Sequence, residues 1–471
     1  MKRTLMEAAL AVGGRLHGED RPFGAVSSDS RTLSFGALFV ALRGPNFDGA
    51  QFVGAAAARG AVGALVEREV EAPLPQIVVP DALRALQRLA QSWRAQFSVP
   101  VVAVAGSNGK TTVKEMTAAI LGRMGACLAT HGNLNNHIGV PLTLMRLEAA
   151  HRSAVIEMGA NALGDVAELV ALARPTVGLI TNAGAEHLEG FGDLDGVARG
   201  EGEMLAGLAA DAVGIINADD AYAAYWRSIA APSRLTTFGL HPAAGGRLPD
   251  FTARDAHQGI ERGEFVSRFT LVCPLGERAI VLKAGGAHNL ANALCAAAAA
   301  GAAGASLDEI AAGLGEFRPV AGRLQLKAGL RGSWIIDDSY NANPSSVRAG
   351  LEVLRTLGGA TWVVLADMAE LGEHGSDSHA HLGTYARDCG VKRLFALGSL
   401  SSRAVETFGL GGEWFADVDA LIRRLKAEVA PGVTLLVKGS RVNRLERVVQ
   451  ALAAGGSGPQ SQGAGPIKRA G

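Results

Sequence analysis

The chain has 471 residues, enough for about three domains of ordinary size. Hydrophobic residues make up 48% and charged residues 19%, a balance that suits globular cores and excludes a largely disordered chain. Lysine plus arginine equals aspartate plus glutamate at 45 each, so the charge favours neither nucleic acid nor an anionic membrane as the main partner.

The N-terminus, MKRTLMEAALAVGG (1–14), has a basic start but no long apolar core, and it predicts a first helix instead of a signal peptide. Short apolar runs such as ALFVAL (37–42) and ALVE (64–67) then alternate with helical stretches. Prolines between 73 and 80 precede a helix predicted over 82–97. Residues 1–98 are therefore expected to form a small α/β domain.

The hydrophobic pattern changes at residue 99, where continuous apolar runs predict buried parallel strands. The runs are VPVVAVAG (99–106), SAVIEMGA (153–160), TVGLITNAG (176–184) and AVGIINAD (212–219). Helical segments lie between most of them, which predicts a doubly wound parallel sheet over 99–318. Residues 240–285 predict a β insertion or edge, and the apolar stretch 290–305 is too short for a bilayer span and predicts a buried helix.

A third α/β domain is predicted over 319–455, again with a parallel sheet. Its predicted strands are SWIIDD (333–338), TWVVLAD (361–367), RLFALG (393–398) and TLLVKGS (434–440). Residues 456–471 are rich in Gly, Ser, Pro and Gln and predict a disordered tail. Four scattered cysteines without CxxC spacing suit a reducing cytoplasm and predict neither a zinc nor a redox site: Cys127, Cys273, Cys295 and Cys389.

The sharpest local pattern is a phosphate loop between the strand 99–106 and a helix predicted to begin near Val113. The loop consists of Gly106, Ser107, Asn108, Gly109, Lys110, Thr111 and Thr112. Its glycines let amide N–H groups face phosphate oxygens, Lys110 can neutralise phosphate charge, and the Thr111 hydroxyl can bind Mg²⁺. Val104 stands where the usual loop has its first glycine, and the alternative is a glycine-rich turn with a surface lysine.

Polar residues follow the neighbouring predicted strands. Glu157 ends one strand and is a candidate Mg²⁺ ligand, while Asn182 and His187 follow the next strand in a glycine-rich loop. A solvated strand end and a structural histidine are the alternatives. Asn289 and Asn292 share a helix face and could read adenine or orient phosphate, or Asn289 could cap the helix.

Taken in order, these segments resemble the Mur ligase family, which includes folylpolyglutamate synthase. The resemblance runs from about residue 25 to 452, and it rests on GSNGKTT (106–112), the strand with Glu157, the loop with His187, HNLANALCA (288–296), PVAGR (319–323) and DDSYNANP (337–344). It implies an N-terminal UDP-substrate domain, a central P-loop ATPase-like domain and a C-terminal Rossmann-like domain.

Within the family, several segments resemble the members that join D-alanyl-D-alanine to UDP-N-acetylmuramoyl-tripeptide: 131–147, 157–169, 337–346, 365–375 and 436–446. No DNPR motif, typical of the diaminopimelate- or lysine-adding members, is found. The implied activity is an ATP- and Mg²⁺-dependent amide ligase of peptidoglycan precursor synthesis that works through an acyl phosphate. A cytoplasmic monomer without nucleic-acid or membrane partners is expected.

The resemblance also implies roles for single residues. The predicted catalytic residues are Lys110, His187, Glu201 and Arg323. The predicted ATP-binding residues are 106–112, Asn289, Asn292, Arg323 and Asp338, with Asp338 on the ribose. The predicted metal ligands are Thr111, Glu157, His187 and Glu201. The predicted substrate-binding residues are Ser30, Arg31, Asn135, Asn136, Asn341, Asn343, Lys438 and Ser440.

One position departs from the family. Most members carry a lysine about fourteen residues after the histidine of the metal loop, and its carbamylated amine helps to hold a second Mg²⁺. Counted from His187, that place falls on Glu201, a monoanion with two oxygens that could supply the same charge unmodified. The alternative is that Glu201 is a solvated helix residue and that Arg199 or Glu203 has taken over the role.

Three other functions stay open at this point. A folate polyglutamylase would share the family, and only the amine substrate would separate it. A regulatory module would hydrolyse ATP without any amine acceptor. A scaffold that merely keeps the fold is disfavoured because Lys110, Glu157 and His187 are all present.

Overall fold

A computed structural model describes residues 2–232, 234–242 and 246–455. The chain divides into two compact units. Among the described residues, the first unit comprises those within 2–261, 265–319 and 370–372, and the second comprises those within 262–264, 320–369 and 373–455. The tail predicted over 456–471 lies outside the described residues, and the predicted domain bounds at 98/99 and 318/319 stay predictions.

The N-terminal part of the first unit is built on a five-stranded sheet. In spatial order its strands are Arg15–His17, Gln76–Val78, Gly63–Val66, Ala37–Val40 and Ala25–Ser27, and all neighbours except the first pair are parallel. Two short antiparallel pairs accompany it: Arg3–Thr4 with Pro22–Phe23, and Arg43–Gly44 with Phe47–Asp48. The helices are Leu5–Val12, Gly49–Phe52 (3₁₀), Val53–Ala58 and Ala82–Arg94. The helices predicted at the N-terminus and from residue 82 are thus confirmed.

The rest of the first unit contains a six-stranded, fully parallel sheet. In spatial order its strands are Cys127–Ala129, Ser153–Glu157, Val101–Ala105, Val177–Ile180, Val213–Asn217 and Arg234–Phe238. The four inner strands are the predicted ones, because strands covered on both faces read as unbroken apolar runs. The helices are Lys110–Leu121, Gly139–Leu144, Asp165–Ala173, Leu188–Phe191, Leu194–Ala206, Ala223–Ile229, Ala287–Ala302 and Leu307–Glu316.

The predicted β insertion is a separate three-stranded sheet. It consists of Thr252–Glu261, Glu264–Cys273 and Gly276–Leu282, and the last two strands pair antiparallel. The alanine-rich helix Ala287–Ala302 follows it and is buried along most of its length, as predicted. Across the described residues, none of the helices combines the length and the apolar character needed to cross a bilayer.

The second unit has its own six-stranded sheet. In spatial order its strands are Gln325–Ala328, Trp334–Asp338, Val433–Lys438, Ala360–Ala366, Arg393–Leu397 and Gly412–Phe415, and only the first is antiparallel to its neighbour. The α-helices are Pro344–Thr356, Gly375–Asp388, Ser402–Phe408, Val418–Glu428 and Glu446–Leu452, and short 3₁₀ helices lie at Leu330–Gly332 and Arg441–Asn443. A further 3₁₀ helix, Gly372–His374, begins with the last residue of the first unit. The four predicted strands of the second unit are confirmed.

The helix after the phosphate loop begins earlier than predicted. It spans Lys110–Leu121, so the prediction of a start near Val113 is wrong by one turn. Gly109 occupies the N-cap position with a left-handed φ of 85°, so the chain turns into the helix immediately after it. Lys110 and Thr111 therefore belong to the first helical turn, where backbone N–H groups have no partner within the helix.

A close helix contact supports the phosphate-loop helix from behind. A Cβ atom added to Gly313 in the helix Leu307–Glu316 would lie 2.4 Å from Cα of Ile120. A Cβ atom on Gly315 of the same helix would approach nothing nearer than the Val281 carbonyl oxygen at 3.8 Å.

We therefore expect Gly313→Ala to destabilise the first unit by about 1–3 kcal/mol, because the two backbones must move apart. Gly315→Ala is the matched control, and it should be neutral or stabilising by up to about 1 kcal/mol, since alanine favours a helix. Urea denaturation followed by circular dichroism measures both. Equal midpoints for the two variants would contradict the close contact.

Candidate active site

The phosphate loop follows the strand Val101–Ala105 and depends on two glycines. Gly106 and Gly109 have φ values of 115° and 85°, in the region that side chains disfavour. A Cβ atom on Gly106 would lie 2.1 Å from Thr181 Oγ1, and one on Gly109 would lie 2.4 Å from Asn292 Oδ1. Both conformation and space therefore require glycine at these positions.

Asn182 holds the loop in place. Its backbone carbonyl accepts the Ser107 N–H at 2.9 Å, and its side-chain Oδ1 accepts the Asn108 N–H at 3.0 Å. Its Nδ2 donates back to the Asn108 carbonyl at 2.9 Å. The Gly184 N–H adds a bond to Ser107 Oγ at 2.8 Å. The sequence placed Asn182 just past a strand, but its role in positioning the loop was missed.

Lys110 is almost enclosed by carboxylates. Its Nζ donates to the Gly106 carbonyl at 2.5 Å and lies 3.1 Å from Glu186 Oε1. Burial by itself would lower the pKa of Lys110, but the charges of Glu186, Glu201 and Glu157 outweigh it, and the pKa is raised. The lysine is therefore held as a cation beside the loop, as a phosphate site needs.

Glu201 lies against the phosphate loop. It is 2% exposed, and its Oε2 accepts the Gly106 N–H at 2.6 Å. Burial, helped by Glu186, raises the pKa of Glu201 to about 7, although Lys110 and the Gly106 N–H oppose the shift. The alternative of a solvated Glu201 is wrong.

The two alternatives to Glu201 lie elsewhere. Glu203 Oε1 accepts the Gly164 N–H at 2.6 Å, beside the start of the helix Asp165–Ala173. The side chain of Arg199 is exposed. Neither is directed into the phosphate loop by these contacts, which favours Glu201 as the anion at this place.

Glu157 closes the other side of the loop. The register of the parallel strands sets Glu157 beside Val104, two residues before Gly106. The carboxylate is 3% exposed, and its Oε1 accepts from Asn135 Nδ2 at 2.8 Å. Within the described part of the chain, Oε2 has no hydrogen-bond partner. A buried anionic oxygen without a partner is costly, and a cation would satisfy it.

The Asn136 side chain forms hydrogen bonds within its own turn. Its Oδ1 accepts the Gly139 N–H at 2.9 Å and the Ile138 N–H at 3.2 Å, at the start of the helix Gly139–Leu144. Of the predicted substrate-binding residues in this segment, the structure therefore brings Asn135 to Glu157 and uses Asn136 to shape the turn.

His187 has a left-handed φ of 50° and precedes the helix Leu188–Phe191. Its Nδ1 lies 2.6 Å from Oε2 of Glu370, which also belongs to the first unit. Its neighbour Glu186, the partner of Lys110, was missed in the sequence. One feature of the sequence could have identified Glu186: it is a carboxylate next to a candidate metal ligand, in a loop that follows a parallel strand.

The described part of the chain contains no group of three or more His, Cys, Asp or Glu side chains that could hold a metal ion. The predicted arrangement needs only two protein ligands at each of two Mg²⁺ sites, namely Thr111 with Glu157 and His187 with Glu201. The predicted metal ligands therefore stay predictions.

Two asparagines in the first turns of the alanine-rich helix, Asn289 and Asn292, are buried together. Asn289 Nδ2 donates to the Gly285 carbonyl at 2.8 Å, and Asn292 Nδ2 donates to Asn289 Oδ1 at 3.2 Å. The N-cap residue is Gly286, so the alternative that Asn289 caps this helix is wrong. Asn292 packs against Gly109, which brings it to the phosphate loop.

In the N-terminal region, Ser30 is half-buried and Arg31 lies at the surface with 84% of its side chain exposed. The Arg31 guanidinium bonds Asp29 at 2.9 Å, and its hydrogen bonds lower the pKa of Asp29 to about 2. This surface pair is worth little for stability. Its exposed guanidinium is available to an anionic substrate.

The remaining predicted residues form a separate cluster in the second unit, near the carboxyl ends of the strands Trp334–Asp338 and Val433–Lys438. They are Arg323, Asp338, Asn341, Asn343, Lys438 and Ser440. Asn343 caps the helix Pro344–Thr356, and its Oδ1 accepts the Ser346 N–H at 2.8 Å. Ser440 Oγ accepts the Ala369 N–H at 2.9 Å.

Three family models match the chain in sequence order. They are "Mur ligase family, catalytic domain" over 23–94, "Mur ligase middle domain" over 104–300 and "Mur ligase, glutamate ligase domain" over 322–441. The architecture is thus the three-domain α/β arrangement of these enzymes.

Similar proteins extend over nearly the whole chain. The UDP-N-acetylmuramoyl-tripeptide--D-alanyl-D-alanine ligase of Escherichia coli K12 is 43% identical over 456 residues, which cover 96% of this chain and 99% of that protein. A crystal structure of MurF from Acinetobacter baumannii matches with a TM-score of 0.88 and 32% identity, over 95% of this chain and 98% of that one. MurF from Thermotoga maritima in complex with ADP matches with a TM-score of 0.79 and 26% identity, over 91% and 96%.

The position of Glu201 predicts a pH-dependent stability. In the folded protein its pKa is about 7, above the ordinary 4.5, so between these values the folded state keeps a proton that the unfolded state loses. Stability from this group therefore falls as pH rises from about 4.5 to 7. In metal-free, nucleotide-free protein, Glu201→Gln should raise the melting temperature more at pH 8 than at pH 5. If the melting temperatures of variant and wild type differed by the same amount at both pH values, that result would contradict the raised pKa.

Proposed function

The chain belongs to the Mur ligase family, and from this we propose that it joins D-alanyl-D-alanine to UDP-N-acetylmuramoyl-tripeptide at the expense of ATP. The products are UDP-N-acetylmuramoyl-pentapeptide, ADP and phosphate, and the reaction is a step of peptidoglycan precursor synthesis. The observation that carries the proposal is the 43% identity to the Escherichia coli ligase, which extends over 99% of that protein.

A free carboxylate does not form an amide readily, because oxide is a very poor leaving group. In the proposed reaction the terminal carboxylate of the tripeptide attacks the γ-phosphorus of ATP, and ADP leaves. The amine of D-alanyl-D-alanine then attacks the acyl carbon, and phosphate leaves from the tetrahedral intermediate. Since ATP and the carboxylate are both anionic, the first step needs concentrated positive charge.

Lys110 supplies part of the positive charge that this step needs. With no phosphate bound, its ammonium lies 3.1 Å from Glu186 and is also near Glu201. When ATP enters, the lysine exchanges the Glu186 contact for phosphate oxygens, while the bonds from Asn182 keep the loop in shape. The loop amides and the N-terminal end of the helix Lys110–Leu121 add a favourable dipole.

The residues around the loop fit a divalent cation. The orphaned Oε2 of Glu157 is the observation that supports this fit, and Thr111, His187 and Glu201 complete the proposed ligand set. A bound Mg²⁺ would screen the phosphate charge and polarise the γ-phosphoryl group. Because the Glu201 carboxylate would supply its own negative charge to a bound cation, the chain needs no carbamylated lysine.

The second unit contributes Arg323, which we assign to stabilising charge on the terminal phosphate. Asn289 and Asn292 are assigned to the nucleotide. The peptide and sugar ends of the substrate are assigned to Ser30, Arg31, Asn135, Asn136, Asn341, Asn343 and Ser440. A location in the cytoplasm is proposed, because the reaction consumes ATP and all four cysteines are free. A monomer is the oligomeric state that we expect.

Phosphate release should require ATP, the UDP-linked tripeptide and D-alanyl-D-alanine together, because the acyl phosphate forms only with the acceptor and turns over only with the amine. A coupled phosphate assay that omits each substrate in turn measures this. Equal release without D-alanyl-D-alanine would point to a regulatory ATPase. Turnover with L-glutamate and a folate in place of the peptide substrates would point to a folate polyglutamylase.

Activity should not depend on added bicarbonate, because Glu201 carries its charge without carbamylation. Glu201→Gln removes that charge while keeping the shape, and it should weaken Mg²⁺ dependence and turnover by about 10- to 100-fold. Glu201→Lys should regain activity only when bicarbonate is present. A Glu201→Gln enzyme with the wild-type rate and Mg²⁺ response would show that the anion lies elsewhere.

A further inference from the structure

Lys114 is an almost fully buried lysine in the helix that begins at the phosphate loop, Lys110–Leu121. It is 1% exposed, and its Nζ donates to the Thr130 carbonyl at 2.8 Å. The same Nζ lies 2.7 Å from Oε1 of Glu115, whose side chain is 41% exposed. Burying an ammonium group costs free energy unless the group is paired and hydrogen-bonded, as this one is. The lysine is therefore held in one place, against the chain at Thr130.

Thr130 ends the hydrogen-bond ladder between two parallel strands in an irregular way. It follows the edge strand Cys127–Ala129, and its N–H donates to the Val155 carbonyl at 3.0 Å. In a regular parallel ladder the Glu157 N–H would then donate to the Thr130 carbonyl. Here the Glu157 N–H donates to Thr130 Oγ1 at 2.9 Å instead, and the carbonyl accepts from Lys114. The hydroxyl thus replaces a backbone acceptor, and the lysine satisfies the carbonyl that the ladder does not use.

The chain around Glu157 is held at a second point, farther along the segment that follows Thr130. Asn135 Nδ2 donates to Glu157 Oε1 at 2.8 Å, and the Asn135 carbonyl accepts the Gly159 N–H at 2.8 Å. Among the described residues, Glu157 Oε2 has no hydrogen-bond partner. Thr130 and Asn135 thus fix the backbone and one carboxylate oxygen of Glu157, which leaves Oε2 as the oxygen that a cation would bind.

We infer that Lys114 and Thr130 are positioning residues for the proposed Mg²⁺ site, because together they fix Glu157 relative to Thr111. Thr111 lies in the same helix as Lys114, about one turn before it. A change in the Lys114 or Thr130 side chain would therefore move the Glu157 backbone relative to the helix, while the Glu157 carboxylate and the Thr111 hydroxyl both stay present. The inference rests on the proposed function, since the cation belongs to that reaction.

Four variants test the positioning role. Lys114→Met removes the ammonium group and keeps a side chain of similar length, while Thr130→Val removes the hydroxyl and keeps the shape. Thr130→Ser keeps the hydroxyl. Thr117→Val is the matched control, because Thr117 lies in the same helix, is fully buried and, within the described part of the chain, has no hydrogen-bond partner for its Oγ1. Melting temperatures identify any variant that fails to fold, and if Lys114→Met does so, the two Thr130 variants carry the test.

In ligation assays, the Mg²⁺ concentration that gives half of the maximal rate should rise by about 10-fold in Lys114→Met and Thr130→Val, because a displaced Glu157 binds the cation more weakly. Thr130→Ser should show a smaller rise, and Thr117→Val hardly any. Excess Mg²⁺ should restore most of the lost rate, since the ligands themselves are still present.

Metal binding is also measured without turnover, from melting temperatures at a fixed ADP concentration, because a cation that binds only the folded protein stabilises it. The Mg²⁺ concentration at half of the full rise in melting temperature should increase in Lys114→Met and Thr130→Val, as it does in the assay. An unchanged Mg²⁺ requirement in either measurement, or an equal increase in Thr117→Val, would overturn the inference.

Hydrogen–deuterium exchange in the ligand-free full-length protein separates this inference from the proposed function. Amides of residues 155–159 should exchange faster in Lys114→Met and Thr130→Val but not in Thr117→Val. Unchanged exchange would overturn the positioning role whatever the reaction is. If the wild type shows no ligation, the proposed function fails, and the exchange result still decides whether Lys114 and Thr130 hold the chain at Glu157.

Discussion

The charge balance at Lys110 is the interaction on which the first unit depends. One lysine faces Glu157, Glu186 and Glu201 at the carboxyl edge of a parallel sheet, where strand ends and a helix start converge. Without ligands the site is therefore short of positive charge, and the buried Glu201 compensates by holding its proton near pH 7. Binding of nucleotide and cation together would reverse this balance. The phosphates would pair with the lysine, and the cation would pair with the carboxylates.

The second unit also holds a cation in a defined place, the half-buried Arg323. Gly322 and Leu324 on either side of Arg323 have left-handed φ values, and the hydrogen bond from the Leu324 N–H to Asp338 Oδ1 holds this segment. In both units hydrogen bonds thus hold in place the segment that carries a cation of the candidate site. This arrangement costs stability, since ion pairs out of water seldom exceed the desolvation they require. In the proposed reaction, a fixed geometry of this kind would favour transfer of a phosphoryl group.

Much of the fold and part of the candidate site could be predicted from the sequence. Strands buried on both faces are unbroken apolar runs, so the inner strands of both large sheets were predicted, while the edge strands Cys127–Ala129 and Arg234–Phe238 were missed because they are short or polar. The phosphate loop, Glu157 and Glu201 follow from pattern and resemblance. The role of Glu186 and the pairing of Asp338 with Lys438 could not be predicted, because contacts between residues 76 or 100 positions apart leave no local pattern.

The central claim is that the acceptor carboxylate attacks ATP directly, and oxygen transfer tests it most directly. The terminal carboxylate of the UDP-linked tripeptide is labelled with ¹⁸O, and the reaction is run in ordinary water with ATP and D-alanyl-D-alanine. Mass spectrometry of the released phosphate should then find one ¹⁸O atom in each phosphate, because an acyl phosphate leaves with a carboxylate oxygen. Phosphate that carries only oxygen from ATP and water would mean that water attacks the nucleotide, and it would contradict the ligase account.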